Sequence, residues 1–378
     1  MYPEMDVPRD WMEPEMDPEN KVIREEMEQA VRDGVFPGGV LLAVSGGVEV
    51  FSAAAGKTGN RPEDHPVMTD TVYDLASLTK PLATVPAVMY LVAKERIDLE
   101  APVASILKDE LPPDKKSITW RHLLSHTSGL PAYRPYFETL CNLPQKRRKQ
   151  ALIRLIADEP LVSRVGEKAL YSDIGFLLLQ YCIEAVTDMA FAAFVTRKVY
   201  PGLNVSGLYF PSYKSPLKMN SVIAATEQCA FRGLLRGVVH DENAFAIGGA
   251  AGHAGLFGNT GAVAGLLRQF MGAYAGRPAG TWLTREIAAH FLQPDPVSGR
   301  TVGFDRPLSS GSSAGRYFDP DHSAGHLGFT GTSFWMELKR RIIVVLLTNR
   351  VHPSRLNETI TRFRPYIHDR VMELLLRK

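Results

Sequence analysis

The chain is short of cysteine, has no surplus of either charge sign, and contains no apolar run long enough to span a bilayer. Its three cysteines, Cys141, Cys182 and Cys229, lie far apart and share no pattern, which excludes a disulfide-stapled scaffold or a zinc knuckle. Lys+Arg 43 against Asp+Glu 41 leaves a formal charge of +2. Electrostatics therefore gives no argument for nucleic acid or a polyanionic surface as partner. The short basic run KRRK, Lys146 to Lys149, is read as a solvated helix start or loop. Every apolar stretch falls short of the roughly 20 residues that cross a bilayer, so no membrane span is expected. The acidic, proline-rich opening MYPEMDVPRDWMEPEMDPEN has neither the basic start nor the apolar stretch of a secretory signal. As it stands the sequence is expected to be cytoplasmic, or periplasmic or extracellular if a leader has been trimmed. No GxGxxG follows an expected strand, so no dinucleotide cofactor is supported. GxSxG is missing as well, which argues against the α/β-hydrolase elbow.

What is present suits a sizeable core. Hydrophobic residues make up 45% and charged residues 22% of 378, ordinary for a globular chain of about two domains or one split domain. Residues 1–20 read as a flexible polar leader. NKVIREEMEQAVRDG then carries Val22, Ile23, Met27 and Val31 at helical spacing. GGVLLAVSGG and VEVFSAAAG read as a hairpin turning at Gly46-Gly47. Near the other end, SFWMELKRRIIVVLLTNR gives two strands about a turn at Arg340-Arg341, the second apolar throughout, and Ser354 to Leu376 has helical spacing. The middle, with WRHLLSHTSG, RRKQALIRLIADEP, IGFLLLQYCIEAVT and MAFAAFVTRKVYPGL, is helical, and loops are expected at Pro211–Lys218 and Pro307–Gly328. The expected fold is α/β of the α+β kind. An antiparallel sheet from both chain ends (21–115 and 260–378) is flanked by helices, with a mainly helical domain (116–259) inserted.

Candidate chemistry starts in YDLASLTKPLATV, Tyr73 to Val85. Apolar residues from Leu78 to Val92 cover most of a helix circumference, so this helix is buried. Ser77 falls at its N-terminus, where backbone N–H groups favour negative charge. Lys80, three residues on, lies over the same face. Locally, a serine cap followed by a snorkelling lysine explains the pattern equally well.

Other motifs extend it. YDLASLTK, LLSHTSGLPAY (Leu123–Tyr133), YSD (Tyr171–Asp173), GGAAGHAGLFGN (Gly248–Asn259) and GHLGFTGTS (Gly325–Ser333) occur in this order. Together they resemble the serine β-lactamase and penicillin-binding protein superfamily, in its class C β-lactamase, DD-peptidase and family VIII esterase branch. The resemblance implies a β-lactamase/transpeptidase-like fold, with Ser77 as nucleophile and Lys80 with Tyr171 as its basic unit. It also implies an oxyanion site from the backbone N–H groups of Ser77 and Phe329. Gly328 and Gly331 would let the strand approach the substrate, with Thr330 beside them and His326 where relatives carry lysine or histidine. A neutral lysine or an ionised tyrosine must be produced by burial and neighbouring charge, because both reference pKa values lie near 10.

Two positions depart from the pattern. Asp173 stands where asparagine is usual and cannot donate an amide hydrogen bond; it either pairs with Lys80 or caps the following helix. His326 and Leu327 replace the usual lysine and threonine, which weakens attraction for a substrate carboxylate. The expected function is a serine acyl hydrolase with an acyl-enzyme on Ser77, an esterase or amidase with room for weak β-lactam hydrolysis. A β-lactamase or D-Ala-D-Ala carboxypeptidase, and a catalytically silent binding or structural relative, are the alternatives. The expected partner is a small-molecule ester, amide or β-lactam, with no cofactor and no metal; nothing in the sequence sets an oligomeric state. His122 and His126 are spaced i, i+4 but lack the glutamate of HExxH, so a structural role in loops near the site is expected. The HDEN run at His240 and the GHAG run at His253 are expected, by resemblance, to shape a loop beside the pocket.

Overall fold

The computed structural model describes residues 18–211, 222–277 and 279–377. Most of the expected leader and most of the Pro211–Lys218 loop lie outside the described residues. Both chain ends supply one antiparallel sheet. Strands β1 (Gly38–Ser45) and β2 (Val48–Gly56) form the expected hairpin. Gly46 and Gly47 turn it at φ 61° and 95°, a region that glycine enters without steric cost. Strands β3 (Ser323–Leu327), β4 (Ser333–Glu337) and β5 (Ile342–Thr348) complete the order β2–β1–β5–β4–β3.

The central strand shows why this sequence makes a two-sided sheet. Alternate side chains of a strand point to opposite faces. Ile343, Val345 and Leu347 of β5 enter a core shared with the helical middle of the chain. Ile342, Val344 and Leu346 enter a second core, closed by the helices Pro18–Arg32 and Ile360–Leu376. The larger core is continuous from the sheet through the helical run Ala76–Ala93 to Trp120, Phe176 and Phe270. That run is apolar enough to cross a membrane by composition, yet 78% of it is buried within the fold, so its apolarity is spent on packing.

Three expectations change in detail. The loop expected over Pro307–Gly328 ends early, because Ser323–Leu327 pairs with β4 as the edge strand. Gly325 there is no loop signal: a Cβ would run into the Trp335 ring and the Phe334 carbonyl. The final helix starts at Ile360 rather than Ser354, because the chain after β5 is committed to other contacts. Arg350, for example, donates to the carbonyls of Arg355 at 3.0 Å and Asn357 at 2.7 Å. KRRK does open a helix, Gln145–Asp158, but it is not simply solvated. Arg148 donates to the Leu143 carbonyl at 2.9 Å and Lys149 pairs with Glu184 at 2.6 Å.

Candidate active site

The segment before Ser77 is braced on both sides. Asp74 is buried and accepts the amides of Ala76 at 2.9 Å and His240 at 2.7 Å. Ala76 is held at φ 47°, a conformation that costs a non-glycine residue about 1–3 kcal/mol. The chain then coils through a 3₁₀ turn (Ala76–Leu78), a wide π turn with Pro81 (Lys80–Thr84) and an α-helix (Val85–Ala93). Ser77 is left half-buried at the mouth of this run, while its neighbours Ala76 and Leu78 are buried.

Lys80 is fully buried. Its Nζ donates to Ser77 Oγ at 3.1 Å, to Asp173 Oδ1 at 2.7 Å and to the His253 carbonyl at 3.5 Å. Burial alone would push this ammonium down, but the Asp173 carboxylate, with Tyr171, more than offsets it and holds Lys80 charged above its ordinary range. Asp173 is therefore the partner of Lys80. The cap of the helix Asp173–Thr187 is Ser172, whose side chain accepts the Gly175 amide at 3.1 Å.

Tyr171 lies with its ring centroid 4.7 Å from Lys80 Nζ. Its ring packs on His126 at 4.5 Å and faces His326 at 5.9 Å. His126 Nδ1 accepts the Ser172 amide at 3.0 Å, which fixes the YSD turn, and His122 completes a capping box with Thr119. Both imidazoles beside Tyr171 are neutral. Burial, then the nearby Arg300 and Lys80 charges, depress His126 well below its ordinary value. Burial and Lys80 do the same to His326. His326, 2% exposed, is thus packed behind the tyrosine and carries no charge for a substrate carboxylate. The second cation against the ring is Arg300, 5.5 Å from its centroid and paired with Asp305.

The turn between β3 and β4 presses on the nucleophile segment. Thr330 Oγ1 donates to the Asp74 carbonyl at 2.7 Å and Thr332 Oγ1 to the Leu75 carbonyl at 3.1 Å. A Cβ on Gly328 would meet Thr332 Oγ1 and the Leu75 carbonyl, and one on Gly331 would meet Thr348 Oγ1 and Arg350. Gly328 thus lets the turn close on the nucleophile segment at Leu75, and Gly331 lets it close on the end of β5 and Arg350. Arg364 clamps the turn from behind through the carbonyls of Gly328 at 2.6 Å and Thr332 at 3.0 Å. Phe329 stands out at 49% exposure between His240 and Arg350. Among the described residues nothing accepts its backbone N–H.

Residues 20–365 match the Beta-lactamase family. The chain belongs to that family. It is 30% identical to an N-acetylmuramyl-L-alanine amidase of Bacillus subtilis (strain 168), covering 84% of this chain and 78% of the other. It is 29% identical to a chain of Salmonella agona (strain SL483) provisionally named a D-alanyl-D-alanine carboxypeptidase, covering 78% and 74%. The fold superimposes on EstCE1, a hydrolase with promiscuous acyltransferase activity, with TM-score 0.73 at 21% identity, covering 94% and 98%. The chain is thus a β-lactamase-family serine hydrolase with the β-lactamase/transpeptidase-like fold.

In this family member Ser77, Tyr171, Asp173 and Phe329 line one cleft of about 380 Å³ with Ala76, Tyr133, His240, Asp241, Glu242, His253, Ala254 and Arg355. The HDEN and GHAG segments meet there: Asp241 caps the helix Glu242–Ala246 and bonds His253 Nε2 at 2.9 Å. Arg355 pairs with Glu227 at 2.5 Å and Glu242 at 2.6 Å. Sequence reasoning missed Arg300, Arg355 and Glu227, and took Glu242 only as part of the HDEN run. Arg300 sits in an unremarked VSGRT turn, and only the fold brings it to Tyr171.

Proposed function

We propose that this protein hydrolyses esters or amides through an acyl-enzyme on Ser77. The carrying observation is the contact of Lys80 Nζ with Ser77 Oγ, at 3.1 Å, while Asp173 holds the same ammonium. A serine hydroxyl needs a base to become nucleophilic, and an ammonium has no lone pair to offer. Tyr171 is then the group that takes the Ser77 proton. For this step Tyr171 must act as the phenolate, and Lys80 and Arg300, which face its ring, compensate the negative charge its oxygen carries before it accepts that proton. Ser77 Oγ bonds to the carbonyl carbon, and the carbonyl oxygen takes the charge against the backbone N–H groups of Ser77 and Phe329. The proton on Tyr171 passes to the departing alcohol or amine as its bond breaks. Water repeats the sequence to release the acid.

The cleft also supports a preference within the family. Among the described residues lining it, the one lysine or arginine is Arg355, which is already committed to two carboxylates. His326 is buried and neutral. A substrate carboxylate beside the scissile bond, as in β-lactams and peptides ending in D-alanine, finds no unpaired cation, so an uncharged ester or amide is the better substrate. The relatives named for amidase and hydrolase activity support ester or amide cleavage, while those provisionally named D-alanyl-D-alanine carboxypeptidases support the alternative that the test below separates.

The test uses a short-chain p-nitrophenyl ester and a fluorescent penicillin, with Ser77→Ala as control and intact mass to follow adducts. Ester turnover lost in Ser77→Ala, with penicillin reacting at least tenfold more slowly than the ester, is expected. Turnover that survives Ser77→Ala, or preferred hydrolysis of the penicillin, would overturn the proposal.

A further inference from the structure

A second hollow, of about 550 Å³, opens beside the catalytic cleft and shares Glu242 and Arg355 with it. Phe137, Cys141, Cys229, Phe231 and Phe245 line it. Its walls come from the short helix Phe137–Leu140, the hairpin pairing Ala225–Cys229 with Gly233–Arg236, and the helix Glu242–Ala246. At the hairpin tip Phe231 is 99% exposed. A phenylalanine so placed contributes nothing to the core, whereas it can cover an apolar ligand lying in the hollow.

Contacts on the cleft side indicate which part of a substrate would enter. Phe329, the expected oxyanion residue, stacks on His240 at 5.7 Å. His240 Nε2 reaches Glu227 at 3.1 Å, and Arg355 joins Glu227 to Glu242. This chain of contacts leads from the oxyanion side of Ser77 to the shared wall. Tyr171, which would return the proton to the leaving group, belongs to a different cluster with His126, His326 and Arg300. On that mechanism the leaving group would depart by that cluster, and the acyl group would be the part left facing the hollow.

We infer that the hollow holds the acyl chain of the substrate, an uncharged aliphatic or arylalkyl chain that crosses the Arg355–Glu242 bridge. The rim carboxylates Glu227 and Glu242 disfavour an anionic chain there. This inference rests on the acyl-enzyme reading of Ser77. Its test varies the acyl chain with the leaving group fixed, using p-nitrophenyl acetate, butyrate, hexanoate and octanoate. The expected result is a kcat/KM that rises about two- to fourfold per buried methylene until the hollow is full. Cys141 is exposed, Cys229 half-buried and Cys182 buried, so a bulky maleimide reaches the two thiols of the hollow. Alkylation should flatten the chain-length dependence, whereas the Cys141→Ser/Cys229→Ser double variant keeps its own profile under the same treatment. A flat or falling profile, or equal loss for all four esters, overturns the assignment. Independently of turnover, octanamide should slow alkylation of both thiols in Ser77→Ala and acetamide should not. Protection without ester hydrolysis would sink the acyl-enzyme reading and keep the hollow. Hydrolysis with neither chain dependence nor protection would sink the hollow alone.

Discussion

Asp173→Asn removes the carboxylate that holds Lys80 charged and leaves nearly the same shape. At the 2.7 Å separation of Nζ and Oδ1, two unit charges attract by about 6 kcal/mol at an effective dielectric near 20. Removing one member of a buried pair typically costs about 3–5 kcal/mol, because the remaining charge stays desolvated. Lys80 can escape by shedding its proton, and that route sets a ceiling. From an unfolded pKa of about 10.4, deprotonation at pH 7 costs about 4.6 kcal/mol. Both routes give the same range. With an unfolding entropy of roughly 2.1 cal/mol/K per residue, 378 residues convert it to a Tm lower by about 4–6 °C.

The pH dependence tests the cause. In the wild type the folded pKa of Lys80 is raised, so its stabilisation is complete below the unfolded value and fades as pH climbs through the folded one. In Asp173→Asn burial is opposed by Tyr171 alone and is expected to place the folded pKa below the unfolded value. The variant is then weakest at neutral pH, and its deficit shrinks as the solution approaches pH 10. Differential scanning fluorimetry of both proteins from pH 6 to 10 reads this directly. A deficit under about 1 °C at pH 7, or one that stays constant up to pH 10, would refute the claim that Asp173 is what charges Lys80.

Two further outcomes are expected. Gly328→Ala drives a Cβ toward Thr332 Oγ1 and the Leu75 carbonyl, an overpacking that costs about 1–3 kcal/mol. Because the displaced turn braces the Ser77 segment, ester turnover should fall at least tenfold while the protein stays folded; turnover near wild type would show that the turn does not brace the nucleophile. Acid should destabilise the protein through three buried imidazoles. Burial takes His368 to about 3 and, with nearby cations, holds His126 and His326 well below 6.5. Since the unfolded chain binds those protons first, stability falls as pH drops below about 6.5. Each histidine removes about 2 kcal/mol between pH 7 and pH 5. Urea unfolding at the two pH values measures the sum, and a change under about 2 kcal/mol contradicts the burial of these groups as neutral rings.

The parts legible in the sequence were those with a local signature. The Gly46-Gly47 turn placed the hairpin of β1 and β2, an unbroken apolar run placed β5, helical spacing placed Asp173–Thr187, and spacing by one turn put Lys80 on the face of Ser77. What could not be read depended on contacts distant along the chain. Asp173 carried two local explanations, cap or ion pair, and the choice was made by Lys80, 93 residues away. Gly325 looked like a loop because nothing local announces that Trp335 needs the space above it. Arg300 offered no pattern at all, since a lone arginine between a glycine and a threonine is ordinary surface until a fold turns it inward.

The two departures from the family pattern make one arrangement. Buried charge is tolerated only when it is paired. Lys80 and Arg300 both face the Tyr171 ring, and a lysine at position 326 would add a third cation behind it with no fresh carboxylate. A neutral histidine avoids that penalty and still packs against the tyrosine. Asparagine at position 173 would in turn strip Lys80 of its partner. Aspartate at 173 and histidine at 326 therefore balance the same pair of cations. The balance leaves no unpaired lysine or arginine among the described residues lining the cleft, so the proposed preference for uncharged esters or amides would follow from how Lys80 is kept charged.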